Sequence, residues 1–190
     1  MAQNTKEIKV LAAGDLYIAP VGTKLPTKED ETLDKAFVNL GLTSEDGVSF
    51  TNGKEVENIM SWQRTTPSRR VVTSRSYSAA TQLQQYNREN FSLAFGGGEW
   101  TEPSPGTFRY DPPADTDALA EYVVVVDAQD GDREDRAVIM RATVEGDVET
   151  QFVRNAAALL PVTFSALTPD DADRPWYYLS NDEAFAPAGS

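Results

Sequence analysis

The chain has 190 residues with 17 basic and 30 acidic groups, no histidine and no cysteine, for a formal net charge of −13. That length suits one core; lack of cysteine excludes disulfides and thiolate metal sites and suits a reducing cytosol, and lack of histidine removes Ser-His and Cys-His nucleophiles and the commonest transition-metal ligand. No apolar run approaches the roughly 20 residues of a membrane helix, and the N-terminal residues hold no signal-peptide core, so the sequence predicts a soluble, non-exported chain with no membrane partner.

The acidity is uneven. Residues 1–70 hold nine basic and ten acidic groups, whereas residues 71–190 hold eight and twenty. An acidic surface of this kind repels phosphates and argues against tight nucleic-acid binding, though not against proximity to DNA.

Residues 1–12 read as a polar N-terminal arm, apart from Ile8, Val10 and Leu11. Leu16 and Ile18 alternate with Tyr17 and Ala19 as in a half-buried strand, and Pro20, Gly22 and Pro26 end it. Asp46-Gly47 predicts a hairpin turn, because glycine supplies the positive φ that the turn needs. Val48, Phe50, Val56, Ile59 and Trp62 predict extended structure, with a second turn at Asn52-Gly53. Residues 48–83 therefore read as strands joined by a long, basic, exposed loop carrying Arg64, Arg69, Arg70 and Arg75.

A helix is predicted over residues 87–96. Asn87 is its N-cap, Glu89 favours the positive end of the dipole, Phe91, Ala94 and Phe95 share a face, and Gly96 closes it. The glycines that follow do not make a phosphate cradle, since Glu99-Trp100 stands where Gly-Lys-Ser/Thr would be needed. The stretch from Gly96 to Pro113 fits no further motif.

The last third reads as strands. Residues 122–126 form a continuous apolar run, Asp130-Gly131 turns, and residues 137–144 return; residues 148–152 and 160–166 each alternate, with Pro161 marking an edge or a strand start. Residues 169–190 form a C-terminal extension with an aromatic patch at Trp176-Tyr177-Tyr178. The pattern is mainly β: an antiparallel β-sandwich or barrel with one short flanking α-helix, a long loop arm and terminal extensions.

Candidate chemistry is sparse. The acidic run from Asp127 to Asp135 fails the calcium-loop spacing in both registers and reads as a solvated hairpin tip. No carboxylate sits in a catalytic motif. The four arginines lack the aromatic interleaving of a nucleic-acid site, which leaves a solvated loop or a charge-complementary contact with the acidic part of a neighbouring copy. A free-standing β-sandwich binding a carbohydrate or protein ligand remains open, with Trp62, Trp100 or Trp176 on an exposed face, as does an enzyme with a carboxylate pair in a cleft.

Order and spacing add one more reading. Gly14-Asp15-Leu16-Tyr17-Ile18-Ala19-Pro20-Val21-Gly22-Thr23-Lys24-Leu25-Pro26, then Ala36-Phe37-Val38-Asn39-Leu40-Gly41-Leu42-Thr43-Ser44-Glu45-Asp46-Gly47-Val48, then Trp62-Gln63 resemble the opening of phage major tail tube proteins. Asn90-Phe91-Ser92-Leu93-Ala94-Phe95-Gly96 and Pro161-Val162-Thr163-Phe164-Ser165-Ala166-Leu167 extend the resemblance through most of the chain. It implies a β-sandwich with a flanking helix, copies joined as hexameric rings that stack into a tube, and a tape measure protein inside. Tail terminator and tail tip proteins are the further implied partners, and DNA passes through the lumen without specific binding. It also implies a place in the virion tail after assembly in the host cytoplasm, with neither catalysis nor a cofactor. On this reading Trp62, Arg64, Arg69, Arg70 and Arg75 are expected at a subunit interface, and Glu145, Glu149 and Gln151 on a net negative lumen wall.

Overall fold

The structure, a computed structural model, describes residues 4–114, 118–152, 154–155 and 157–186, apart from the Lys6 side chain. Its elements run β1 (Ala13–Pro20), β2 (Val38–Asn39), β3 (Thr43–Ile59), β4 (Arg69–Leu83), α1 (Arg88–Ala94), β5 (Glu99–Ser104), β6 (Thr107–Asp111), β7 (Glu121–Asp130), β8 (Arg133–Glu145), β9 (Leu160–Ala166) and β10 (Trp176–Ser180). One sheet has the order β2-β1-β7-β8-β9-β4-β3, with β10 also on β8; β5 and β6 pair separately. Every pairing is antiparallel.

Strand β8 decides the architecture because it serves two partners along one edge. Asp135 to Ile139 face β10, and Ala142 to Glu145 face β9. The sheet divides there, so β2-β1-β7-β8-β10 makes one layer and β9-β4-β3 folds over it as the second. Leu16, Val124, Val126 and Ile139 of the first layer close on Ala79, Leu83, Val162 and Phe164 of the second, with Leu93 and Ala94 of α1 beside them. This is a β-sandwich with one flanking helix.

The valine run of β7 is buried on both faces, which is why it does not alternate. Val124 and Val126 enter the main core; Val123 and Val125, with Val138 and Ala19, pack under Leu25, Leu33 and Phe37 of the β1–β2 connection. Three bonds pin that connection: Tyr177 OH donates to Pro26 O (2.6 Å), and Arg136 Nη1 donates to Lys28 O and Glu31 O. The hairpin between β7 and β8 turns at Gly131-Asp132, one residue later than the expected Asp130-Gly131: Asp130 still pairs with Arg133, and Gly131 supplies the positive φ. Pro161 stands at the second position of β9, before pairing with β8 begins at Thr163, as its missing N–H predicts.

The helix also follows its sequence signals. Asn87 Oδ1 accepts from Asn90 N (2.8 Å), while Gly96 N and Gly97 N donate to Leu93 O and Ser92 O in a left-handed closure. Gly96, Gly97 and Gly98 all have positive φ, so the glycine run lets the chain reverse at once into the β5–β6 hairpin. Phe91 of α1 packs against Trp100 and Tyr110 of that hairpin at centroid distances of 5.5 and 5.0 Å, and Trp100 Nε1 donates to Ser92 Oγ. The stretch from Gly96 to Pro113 is thus an aromatic hairpin clasped on the helix.

Four further local expectations are corrected. Asp46-Gly47 is not a hairpin turn: the ladder slips between Thr43↔Leu83 and Val48↔Thr81, and the positive φ of Gly47 serves a bulge inside β3. Asn52-Gly53 is uninterrupted strand opposite Tyr77 and Ser76. The long basic loop is mostly ribbon, because the Val, Thr and Ser residues after Arg70 pair with β3; Arg69, Arg70 and Arg75 lie on β4, and only residues 60–68 connect the two strands. Residues 148–152 form no strand despite their alternation: no described strand pairs with them, Val148 packs against the core, and Phe152 stays 84% exposed.

Candidate functional site

The feature that stands out from the body is the outer half of β3 and β4. Strand β9 pairs with β4 only from Ser78 to Leu83, so from Asn52 and Tyr77 outward the ribbon has two strands and no third. Asn52 to Ile59 spans roughly 25 Å at about 3.3 Å per residue. Two strands alone are marginally stable in water, yet Val56, Ile59, Met60, Val71 and Val72 are all exposed here, and Trp62 at the tip is 99% exposed. The outer edge of β3 is unpaired as well.

Register sorts the predicted residues by face. Lys54 lies opposite Arg75, Val56 opposite Val72 and Asn58 opposite Arg70, all on the face that continues Phe50 and Tyr77. The other face carries Glu55 with Ser74, Glu57 with Val71, and Ile59 with Arg69. Arg70 and Arg75 therefore share a face with Lys54, which the motif reading missed, and Arg69 points away from them. Arg70 Nε donates to Asn58 Oδ1 (3.1 Å), whereas Lys54 and Arg75 face each other without an acidic partner among the described residues. Such a like-charge pair across strands is unfavourable in isolation. Arg64 and Trp62 sit in the tip connection.

The lumen candidates are placed less regularly. Glu145 ends β8 and accepts from Thr143 Oγ1 (3.2 Å). Glu149 and Gln151 lie in the irregular segment beyond it, joined by Gln151 Nε2 donating to Glu149 Oε1 (3.1 Å), beside Asp147 and Gln82.

The residues predicted as an N-terminal arm are tied to the body at Lys9. Its Nζ bridges Asp135 (2.8 Å) and Asp182 (3.1 Å), joining a residue before β1 to β8 and to the segment after β10. Burial alone would raise the Asp135 carboxyl, but hydrogen bonds from Lys9, Ser180 and Tyr178 outweigh it and hold it below its ordinary value. Burial, then the bond to that carboxylate, pushes the Tyr178 phenol well above its usual value. Asp127 is likewise committed, to Arg136 at 2.6 Å. Asp127 and Asp135 of the acidic run are thus committed to structural ion pairs, and no group of three or more metal-ligating side chains occurs among the described residues. Nothing in the sequence pairs Lys9 with Asp135 across so long a separation; only the fold does.

The three tryptophans share no surface. Trp100 is clasped by Phe91, Trp176 packs near Phe50 and Tyr77, and Trp62 stands alone on the ribbon. A flat ligand face of the kind a binding module needs is not formed by them.

Comparison with known proteins agrees with this picture. A family model described as phage tail tube protein matches residues 1–190. Major tail protein Gp23 of Mycobacterium phage D29 is 26% identical over 196 residues, covering 96% of this chain and 95% of that protein. With its full length matched, the chain belongs to the phage tail tube protein family, a family of structural tail proteins.

Proposed function

We propose that the chain polymerises as hexameric rings stacked into the tail tube, around a tape measure protein and between tail tip and tail terminator proteins, and that the tube is the conduit for genome delivery. The observation that carries this reading is the ribbon: two strands with apolar side chains exposed on both faces, an open edge and an unpartnered Lys54/Arg75 pair, all of which a neighbouring copy would complete. A neighbour that continues the β3 edge extends the sheet from copy to copy, and a head-to-tail contact that repeats without closing generates a filament.

Charge supports the same arrangement. Residues 51–77 hold five basic and two acidic groups, so the ribbon is net +3 while the remainder of the chain is net −16. A ribbon laid on the next copy's body therefore meets opposite charge, and Trp62, Arg64, Arg69, Arg70 and Arg75 would lie in that contact. The lumen takes some of the remaining acidic surface, with Glu145, Glu149 and Gln151 as its proposed lining; a basic wall would hold DNA by counterion release and slow its transit. Assembly takes place in the host cytoplasm and the product resides in the virion tail.

Negative-stain microscopy of the concentrated protein tests the reading directly. Six-fold rings and tubes with an open channel are expected. Discrete single particles under all conditions would overturn it.

A further inference from the structure

A groove of ≈ 680 Å³ opens between the two layers where β1, the bulge of β3 and β10 come together. Residues 44–47, which the bulge takes out of the β4 ladder, line one side of it. Its floor is carbon: Leu16, Val126 and Ala137 of the core, with Val48, Phe50 and Trp176 along the walls. Phe50 is only half-buried there. Asp15, Glu45 and Asp46 stand around it, no lysine or arginine lines it, and none of the three has a cationic partner among the described residues. An open apolar slot of this size with a uniformly acidic rim is a receptor for an apolar side chain with basic flanks.

The molecule carries one such element. Trp62 is 99% exposed at the ribbon tip, with Met60 exposed just before it and Arg64 and Arg69 close by. It cannot reach the groove of its own copy. Strand β3 runs from Phe50, in the groove wall, to Ile59 in continuous pairing with β4, which sets the tip roughly 30 Å away at about 3.3 Å per residue. We infer that the groove receives the Trp62 tip of a second copy of this chain. An indole buries about 150–250 Å², and a central aromatic anchor in an apolar pocket is the usual form of an interface hot spot. Because tip and groove are different surfaces of one molecule, the contact is head-to-tail and each copy offers both halves.

This inference rests on the tube reading and names its docking partner; the experiment separates the two. The chain has no cysteine, so Gln63→Cys, exposed beside Trp62, with Leu11→Cys, a half-exposed groove position, introduces the sole thiols and leaves the indole in place. After assembly, a short bismaleimide is expected to convert this double variant into a ladder of covalent multimers. Gln63→Cys with Phe108→Cys, on the β5–β6 hairpin, should give none. Trp62→Ala should leave the melting temperature of the unassembled chain unchanged, since the ring touches solvent alone, and raise the concentration needed for polymerisation about 30-fold or more, the factor expected of a hot-spot residue. Trp62→Phe should recover most of the loss. Tubes formed by Trp62→Ala at the wild-type concentration, or tubes of the Leu11/Gln63 double variant that yield no ladder, would overturn the groove assignment alone. A wild-type chain that never polymerises would overturn it together with the tube reading.

Discussion

Asn90 offers a sharp test of how the helix is joined to the sheet. Its side chain is 2% exposed, and Nδ2 donates to Leu40 O (2.9 Å) and to Gln85 O (3.0 Å), tying the approach to β3 and the exit of β4 to the first turn of α1. Asn90→Asp keeps the shape and replaces the donor by an oxygen facing two carbonyl oxygens. Each buried carbonyl left unpaired costs about 1–3 kcal/mol. The new carboxyl can recover one bond only by taking a proton, so its folded pKa rises above the unfolded value of about 3.9. A group raised in this way carries no ionisation penalty below the unfolded pKa, and the penalty grows with pH by about 1.4 kcal/mol per unit until the folded pKa is reached.

Urea unfolding of the unassembled chain, followed by circular dichroism at several pH values, reads these contributions separately. We expect Asn90→Asp to lose about 3–5 kcal/mol at pH 7 and about 1–2 kcal/mol near pH 4. Asn90→Ala should lose about 2–4 kcal/mol at both, since it has nothing to titrate. For a chain of this length 3 kcal/mol is roughly 6–12 °C in melting temperature. An Asn90→Asp deficit that is the same at pH 4 and pH 7 would refute the reasoning, because a pH-independent loss means that no buried carboxyl is being forced to choose its charge.

Two further perturbations follow from the structure. In Lys9→Met, Asp135 loses the ammonium that helps hold its carboxyl low. The wild-type contribution of that depressed carboxyl is present above about pH 4 and lost as pH falls through the lowered folded value, so the variant should be weaker by about 1–3 kcal/mol at pH 7 with a flatter acid limb; stability curves parallel to wild type would contradict this. Trp100→Ala removes one ring of the cluster it forms with Phe91 and Tyr110 and should cost about 2 kcal/mol while loosening the β5–β6 hairpin, read as faster hydrogen exchange and proteolysis near the Pro105-Gly106 turn with the main sheet unchanged.

How far the sequence could be read depended on whether the signal was local. Helix α1 was legible because its cap at Asn87 and its glycine stop are satisfied within the segment itself. The buried run of β7 was legible because valines on both faces suit only an interior strand. Gly47 shows the limit: the residue reports a positive φ, and both a hairpin and a bulge need one, so the choice was made by β4 pairing on the same side before and after it. Residues 148–152 show the reverse failure, an alternation with no partner strand to use it. At the candidate site, arginine clustering was visible but its faces were not, since the irregularity between Glu55 and Val56 resets which β4 residues lie opposite β3. The groove was invisible because Asp15, Glu45 and Asp46 gain their meaning only from the fold.

The charge layout leads to a final expectation about salt. Two copies, each at −13, repel at long range, while a ribbon of net +3 on a body of net −16 attracts at contact. These interactions are screened at different salt concentrations. The Debye length is about 30 Å at 0.01 M, about 10 Å at 0.1 M and about 3 Å at 1 M, so repulsion between bodies fades first and contacts at about 4 Å persist until the highest range. Polymerisation followed by light scattering should therefore rise between about 0.01 and 0.1 M salt and weaken only towards 1 M. Arg69→Glu with Arg70→Glu should keep the rise, since it only makes each copy more acidic, and lose the high-salt weakening, because the attraction that salt would screen is gone. The double variant should also fold normally, as both side chains are exposed. A steady decline from the lowest salt in the wild-type protein would mean that contact attraction outweighs repulsion at every distance, and the division of the chain into a cationic ribbon and an anionic body would not then govern assembly.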